Sequence, residues 1–264
     1  MPSSPVARAP LSSITLDAAT CTVIHQHNAG LARQPASLTK LMTAYATYAC
    51  VAEQGRSWSE AVRIAAEDVH AVAHDETRMG LVPGETVTLA RLLEGMMVVS
   101  GNDAALAIAR HLQGSQHAFL QRMNRHAGQL GLRDTWFASV SGITTPRQAS
   151  SARDMAMLSA RLLADYPQVL AITAQRAFAH GSFSRNNQNA LLGEDGVDGL
   201  KTGYTQAAGF CLAATALRQL PGQVQPARLI TVVLGSDSRQ ARDARVREQL
   251  AAGFTALAGA TIDG

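Results

Sequence analysis

The sequence is poor in charge. Charged residues make up 16% of its 264 positions and hydrophobic residues 47%, so it is neither disordered nor fibrous. The formal net charge is only +3, with a pI near 9.0. That excess favours an anionic substrate but is too small to indicate nucleic acid, and no run of lysine and arginine interleaved with aromatics appears. No apolar run reaches the roughly 18 residues of a membrane-spanning helix. Residues 1–10 are rich in Pro, Ser and Ala and lack the apolar centre of a signal peptide. There are three cysteines, Cys21, Cys50 and Cys211. They are far apart, in no metal-ligand spacing, and an odd count cannot pair completely within one chain. Each is flanked by small or apolar residues and reads as a buried small hydrophobe. The eight histidines form no ligand motif. Neither a metal nor a cofactor is expected.

The length fits one large α/β domain or two interleaved subdomains. Residues 13–27 alternate around Asp17-Ala18-Ala19-Thr20 and predict a β-hairpin. A helical pattern follows over 37–53, where Leu38, Leu41, Met42, Tyr45, Tyr48 and Ala49 recur at helical spacing. Residues 79–88 hold Gly80, Pro83 and Gly84 and read as turns with short β structure. Helices are predicted over 89–100, 103–114 and 117–131. Ser151-Ala152-Arg153-Asp154 reads as an acidic capping box opening a helix to about residue 164. Residues 177–199 are polar and rich in Gly and Asn. Strands are expected at 200–203, 209–217 and 228–235, and a closing amphipathic helix at 239–257. With β-rich ends and a helical middle, the pattern predicts an α/β fold. Its antiparallel sheet is built from N- and C-terminal strands flanked by helices, with a helical subdomain inserted at about 66–165. Residues 1–12 are expected to be flexible, 13–258 to form the folded domain and 259–264 a tail.

Three short motifs carry chemistry. Ser37-Leu38-Thr39-Lys40 places a hydroxyl and an amine one helical turn apart, on one face. A serine becomes a nucleophile when a neighbouring base takes its proton, and a lysine is such a base once desolvation or a like charge lowers its pKa. Ser37 would also stand at a helix start, where unpaired N–H groups stabilise negative charge. Ser100-Gly101-Asn102 falls where one helix breaks and another begins. Lys201-Thr202-Gly203 lies on a strand, where a glycine admits close approach. Alone, each reads more readily as an ordinary helix start, an N-capped turn or an edge strand with a protective lysine.

Their joint occurrence, in this order, is the motif set of penicillin-binding proteins and related β-lactamases. The runs Pro35-Ala36-Ser37-Leu38-Thr39-Lys40, Ser100-Gly101-Asn102-Asp103-Ala104, Ser150-Ser151-Ala152-Arg153-Asp154-Met155 and Val197-Asp198-Gly199-Leu200-Lys201-Thr202-Gly203-Tyr204-Thr205 extend it. Over about residues 13–257 the chain resembles the low-molecular-mass penicillin-binding D-alanyl-D-alanine carboxypeptidases, peptidase family S11. The resemblance implies the penicillin-binding-protein/β-lactamase-like transpeptidase fold. Its substrate would be a peptidoglycan stem pentapeptide, and β-lactams would act as covalent inhibitors.

The resemblance also implies roles. Ser37 is the nucleophile and Lys40 its base, held neutral by Lys201. Ser100 relays a proton and Asn102 binds the substrate amide. The backbone N–H groups of Ser37 and Tyr204 form the oxyanion hole beside Gly203. Lys201 and Thr202 bind the terminal carboxylate. Arg242 is the candidate to complete that carboxylate site, although Arg239 and Arg245 crowd near it and a solvated helix face is the other reading. Asn187 and Asn189 resemble a cleft-lining segment and read as loop-stabilising hydrogen-bonders.

Many family members continue into a β-rich domain and a membrane anchor. A catalytic domain alone is therefore expected here, with membrane attachment left in question. A cell-wall substrate places the working protein in the periplasm or outside the membrane. A class A β-lactamase needs a glutamate between the second and third motifs, and residues 103–193 contain none. A D,D-endopeptidase and a non-catalytic β-lactam sensor are the remaining alternatives. Incubation with a penicillin should add one covalent equivalent to the peptide containing Ser37. Lys40→Ala should fold but lose acylation by several orders of magnitude, and Lys40→Arg should fail too, since guanidinium does not give up its proton. Intact-mass and peptide-mass spectra against time check both outcomes.

Overall fold

A computed structural model describes residues 10–259. Its frame is a five-stranded antiparallel sheet of order β2-β1-β9-β8-β7. The strands are β1 (Ser12–Asp17), β2 (Val23–His27), β7 (Val197–Thr205), β8 (Gly209–Arg218) and β9 (Ala227–Ser236). β1 and β2 form the expected hairpin, and β1 then pairs with β9, joining the two ends of the chain. β9 reads Leu229-Ile230-Thr231-Val232-Val233-Leu234, an apolar run broken only by the buried Thr231, because both faces of the strand are covered. Ile230, Val232 and Leu234 face the helical side with Ile14 and Leu16. Leu229 and Val233 face Val246, Leu250 and Phe254 of α8 (Arg239–Gly259).

The helical side is built around α1 (Thr39–Gln54), buried at every position from Thr39 to Val51. A helix apolar on nearly all sides belongs in an interior. Its alanines let α4 (Asn102–Gln113), α5 (Gln116–Gln129) and α6 (Ala152–Asp165) come close. α3 (Leu89–Val98) precedes α4, and a break at residues 99–101 separates them. Gly55 ends α1 in the left-handed conformation (φ 61°), its N–H closing on the Val51 carbonyl.

Several expected elements differ in detail. Within residues 79–88 only β4 (Thr86–Thr88) is a strand, paired with β3 (Ala61–Arg63), which the sequence pattern did not reveal. The polar stretch 177–199 contains a hairpin of β5 (Ala177–His180) and β6 (Phe183–Asn186). Short helices α2 (Ala66–His70) and α7 (Val169–Thr173) also left no sign in the sequence. All these elements are too short to show a period, and tertiary contacts define them. Phe178 of β5, for example, is buried under the Arg91 guanidinium, 4.0 Å from the ring centre.

Ser151 does cap α6 through Asp154 N–H at 3.1 Å. The Asp154 carboxylate, however, accepts from Asp134 N–H (2.8 Å) and Thr135 Oγ1 (2.6 Å), so it ties α6 to the preceding loop. Cys50 and Cys211 are buried, but Cys21 is half-buried in the β1–β2 turn at φ 57°. Residues 1–9 and 260–264, which include most of the expected flexible N-terminus and the tail, lie outside the described residues, and β1 already begins at Ser12.

One buried cation fastens the sheet to the helical side. The Arg33 guanidinium donates to the carbonyls of Pro10 (2.5 Å), Leu234 (3.2 Å) and Ala208 (3.0 Å). It fits only because residue 235 is glycine, where a Cβ would lie 2.0 Å from the guanidinium. Arg33→Met should leave three carbonyls without their donor, costing about 3 kcal/mol. Thermal unfolding should show Tm lower by about 6–12 °C.

Candidate active site

The three motifs converge on one cleft of about 590 Å³ between the helical side and β7. Ser37 lies in a short 3-10 turn, Ala36–Leu38, leading into α1. Ala36 is held at φ 49°, a left-handed conformation that is costly for a residue with a Cβ. Two glycines make room for this turn. A Cβ on Gly142 would lie 2.0 Å from the Ala36 carbonyl oxygen and 3.0 Å from Ser37 N; one on Gly203 would lie 3.0 Å from Ser37 N. The backbone of Ser37 is thus enclosed between the 138–148 loop and β7.

Lys40 follows on the same face of α1 and is fully buried. Its Nζ lies 3.1 Å from Ser37 Oγ, 2.7 Å from Asn102 Oδ1 and 2.6 Å from the Ser141 carbonyl. These three contacts suit a neutral amine. Two N–H bonds go to the two obligate acceptors, and the lone pair is left for the Ser37 hydroxyl proton. Burial pushes the Lys40 pKa well below the usual lysine range, and the charge of Lys201 pushes the same way. The carboxylates of Glu76 and Asp103 pull in the opposite direction.

Asn102 begins α4, and Ser100 precedes it at φ 64°. The Ser100 hydroxyl is buried at the cleft and has no hydrogen-bond partner among the described residues. Lys201 on β7 is 2% exposed, and its Nζ donates to the Thr202 carbonyl at 3.1 Å. Burial first, and the Arg242 charge second, bring its pKa down to about 7. Thr202, Gly203 and Tyr204 line the cleft, the half-exposed Tyr204 ring resting 4.4 Å from Phe210.

Of the three clustered arginines, Arg242 is buried at the cleft wall. It is not on a solvated helix face. Its Nε donates to Asp243 Oδ1 at 2.8 Å and Nη1 to the Cys211 carbonyl at 3.5 Å. Arg239 also reaches the cleft but is exposed, while Arg245 borders a separate hollow beside Pro10 and Leu11. Asn187 and Asn189 do not line the cleft; the residue between them, Gln188, does. Asn187 Nδ2 donates to the Gln175 carbonyl at 3.0 Å and Asn189 Nδ2 to the Gly199 carbonyl at 3.1 Å, pinning the loop before β7.

Four participants carry no signal in the sequence that assigns them a place here. The Ser141 carbonyl is a backbone group and has no side-chain signal. Its loop is held by the buried Gln148, whose Oε1 accepts from Ser139 N–H at 2.9 Å and whose Nε2 donates to the Ile143 carbonyl at 3.0 Å. Asp103, read only as part of a motif, accepts from the N–H groups of Met79 (2.9 Å), Gly80 (3.2 Å) and Leu81 (3.1 Å), fixing the 71–85 segment to α4. Glu76, on that segment, accepts from Asn102 Nδ2 at 2.6 Å.

Ser37, half-buried at a helix start beside the fully buried Lys40 and flanked by a second serine and a second lysine, stands on a penicillin-binding-protein fold. The D-alanyl-D-alanine carboxypeptidase (peptidase S11) family model matches residues 2–238, and the chain belongs to that family. It is 37% identical over 247 residues to the D-alanyl-D-alanine carboxypeptidase DacC of Escherichia coli, covering 91% of this chain and 60% of that protein. The chain thus spans about three-fifths of the length of this relative. Penicillin-binding protein 5 from Haemophilus influenzae superposes with a TM-score of 0.87 at 32% identity, over 92% of this chain and 70% of that one. Penicillin-binding protein D2 from Listeria monocytogenes, solved in a cefotaxime-bound form, superposes at 0.79 with 28% identity, over 92% and 96%.

Gly142→Ala should fold but displace the turn that carries Ser37. A misplacement of about 1 Å costs roughly a hundredfold in rate. Stopped-flow acylation by a chromogenic β-lactam, alongside circular dichroism, checks this outcome.

Proposed function

We propose that this chain is a serine D-alanyl-D-alanine carboxypeptidase that trims the terminal D-alanine from peptidoglycan stem pentapeptides. The observation that carries the reading is the Lys40 amine, buried and shared among Ser37 Oγ, Asn102 Oδ1 and the Ser141 carbonyl. Ser37 Oγ attacks the carbonyl carbon of the penultimate D-alanine while Lys40 takes its proton. The oxyanion is stabilised by the N–H groups of Ser37 and Tyr204. As the intermediate collapses, the C–N bond breaks and the leaving amine takes a proton by way of Ser100. Water then hydrolyses the Ser37 ester, regenerating the hydroxyl.

The lining of the cleft supports the choice of substrate. Thr202 and Arg242 line it, and the Lys201 amine lies buried next to Thr202 on β7, within reach of the Arg242 charge, so that the three make an end stop for a free carboxylate. β-Lactams enter the same reading as covalent inhibitors of Ser37, in keeping with the cefotaxime-bound Listeria relative. A cell-wall substrate requires an extracytoplasmic site of action. No helix among the described residues is long and apolar enough to cross a membrane.

Incubation with a pentapeptide ending in D-Ala-D-Ala should release one D-alanine per tetrapeptide formed. Faster cleavage of cross-linked dimers than of pentapeptide would make the enzyme an endopeptidase, and acylation without turnover would make it a sensor. Arg242→Ala should lower pentapeptide kcat/KM far more than acylation by a β-lactam ester, which has no carboxylate to dock.

The pH dependence has a definite sign. Lys40 acts when neutral, so activity requires a pH above its pKa. Lys201 holds a carboxylate when charged, so kcat/KM, which reports the free enzyme, should decline as pH rises through about 7. Rate–pH profiles with the pentapeptide and the β-lactam ester check this, the basic limb being the weaker with the ester.

A further inference from the structure

The cleft carries a carboxylate that the acyl-transfer scheme above does not use. Glu76 lies on the 71–85 segment, half-buried, and lines the cleft beside Ser100 and Asn102. Its Oε2 accepts from Asn102 Nδ2 at 2.6 Å, and Asn102 Oδ1 in turn accepts from Lys40 Nζ at 2.7 Å. A carboxamide has two unlike ends, and each end here meets a partner of the matching kind. Lys40 can only be served by the oxygen, and Glu76, an acceptor when ionised, only by the NH₂.

We propose that Glu76 is a positioning residue for catalysis: through Asn102 it fixes the orientation of the amide that holds the Lys40 amine against Ser37, and it supplies negative charge next to that amine. The inference rests on the acyl-transfer reading of the site.

Two features of the surroundings make Glu76 suited to this. Its segment cannot drift, because Asp103 holds the backbone of Met79, Gly80 and Leu81, Thr77 Oγ1 donates to the Ser100 carbonyl at 2.6 Å, and Asn102 N–H donates to the Thr77 carbonyl at 2.9 Å. The charges around Lys40 are also opposed. Lys201 on β7 favours the neutral amine, with Arg242 beyond it acting on Lys201. Glu76 and Asp103 favour the ammonium. Asp103 is occupied by backbone N–H groups, so Glu76 is the carboxylate that reaches Lys40's own hydrogen-bond network. Glu76 therefore restrains how easily Lys40 loses its proton, while the hydrogen bond through Asn102 keeps the amine in line with Ser37 Oγ.

The two contributions separate by substitution. Glu76→Gln keeps an acceptor of the same shape and removes the charge; Glu76→Ala removes both. Acylation by a chromogenic penicillin, followed in the pre-steady state on the full chain across pH, reads the two effects independently, with melting curves recorded for each variant. In Glu76→Gln the acid limb should move to lower pH and the high-pH plateau stay close to wild type. In Glu76→Ala the limb should move the same way and the plateau fall by about tenfold, the worth of the one hydrogen bond that Glu76→Gln retains. Variant profiles that superimpose on a wild type acylated at Ser37, or an acid limb that moves to higher pH, overturn the role of Glu76 alone. A wild type that is not acylated at all overturns the acyl-transfer reading and this proposal with it.

Discussion

An amine kept from water is the constraint on which the rest of this structure depends. Burial costs a lysine heavily as a cation and little as a neutral amine, and Lys40 is completely enclosed. Each surrounding element contributes one part of its balance. α1 sets the amine one turn from Ser37, α4 brings an amide oxygen, the 138–148 loop brings a carbonyl, and β7 brings a second buried lysine whose charge repels the first. These pieces come from four parts of the chain. The sheet that joins its two ends, and the Arg33 guanidinium spanning three carbonyls, are what keep them in register.

The same balance explains why there are two lysines and not one. Lys201 is itself buried near the Arg242 guanidinium, which helps bring its pKa to about 7. Both amines are therefore poised to exchange protons more readily than an exposed lysine, and their surroundings differ. Lys40 stands beside a hydroxyl, and Lys201 beside the wall where an anion would dock. Ser100, with a hydroxyl that meets no partner among the described residues, borders the cleft that both serve.

Much of this was legible in the sequence, for physical reasons. The central strands and the long helices announce themselves because each buries a continuous face, the β1–β2 hairpin shows in its turn residues, and Ser37, Lys40, Ser100, Asn102 and Lys201 could be named because their three motifs occur together in the order of the family the chain resembles. What was missed falls into two kinds. β3, β5, β6, α2 and α7 have three to five residues each, too few to display a period. Ser141, Gln148 and Glu76 matter through what folding sets beside them, and no local pattern encodes that. Arg242 lies between these cases: the helix was visible, but only the packing of α8 on β8 and β9 decides which of three arginines turns inward.

The grip of Asp103 on residues 79–81 has a wider consequence. Its carboxylate reads only main-chain N–H groups, and those are the same whatever side chains the loop carries. Asp75, at the cleft edge of this segment, can therefore be exchanged for a hydroxyl or an apolar group without unseating the helix that bears Ser100 and Asn102. A new preference can be tried there, whereas Glu76 and Thr77, bonded to Asn102 and to the Ser100 carbonyl, are tied to the geometry of the site.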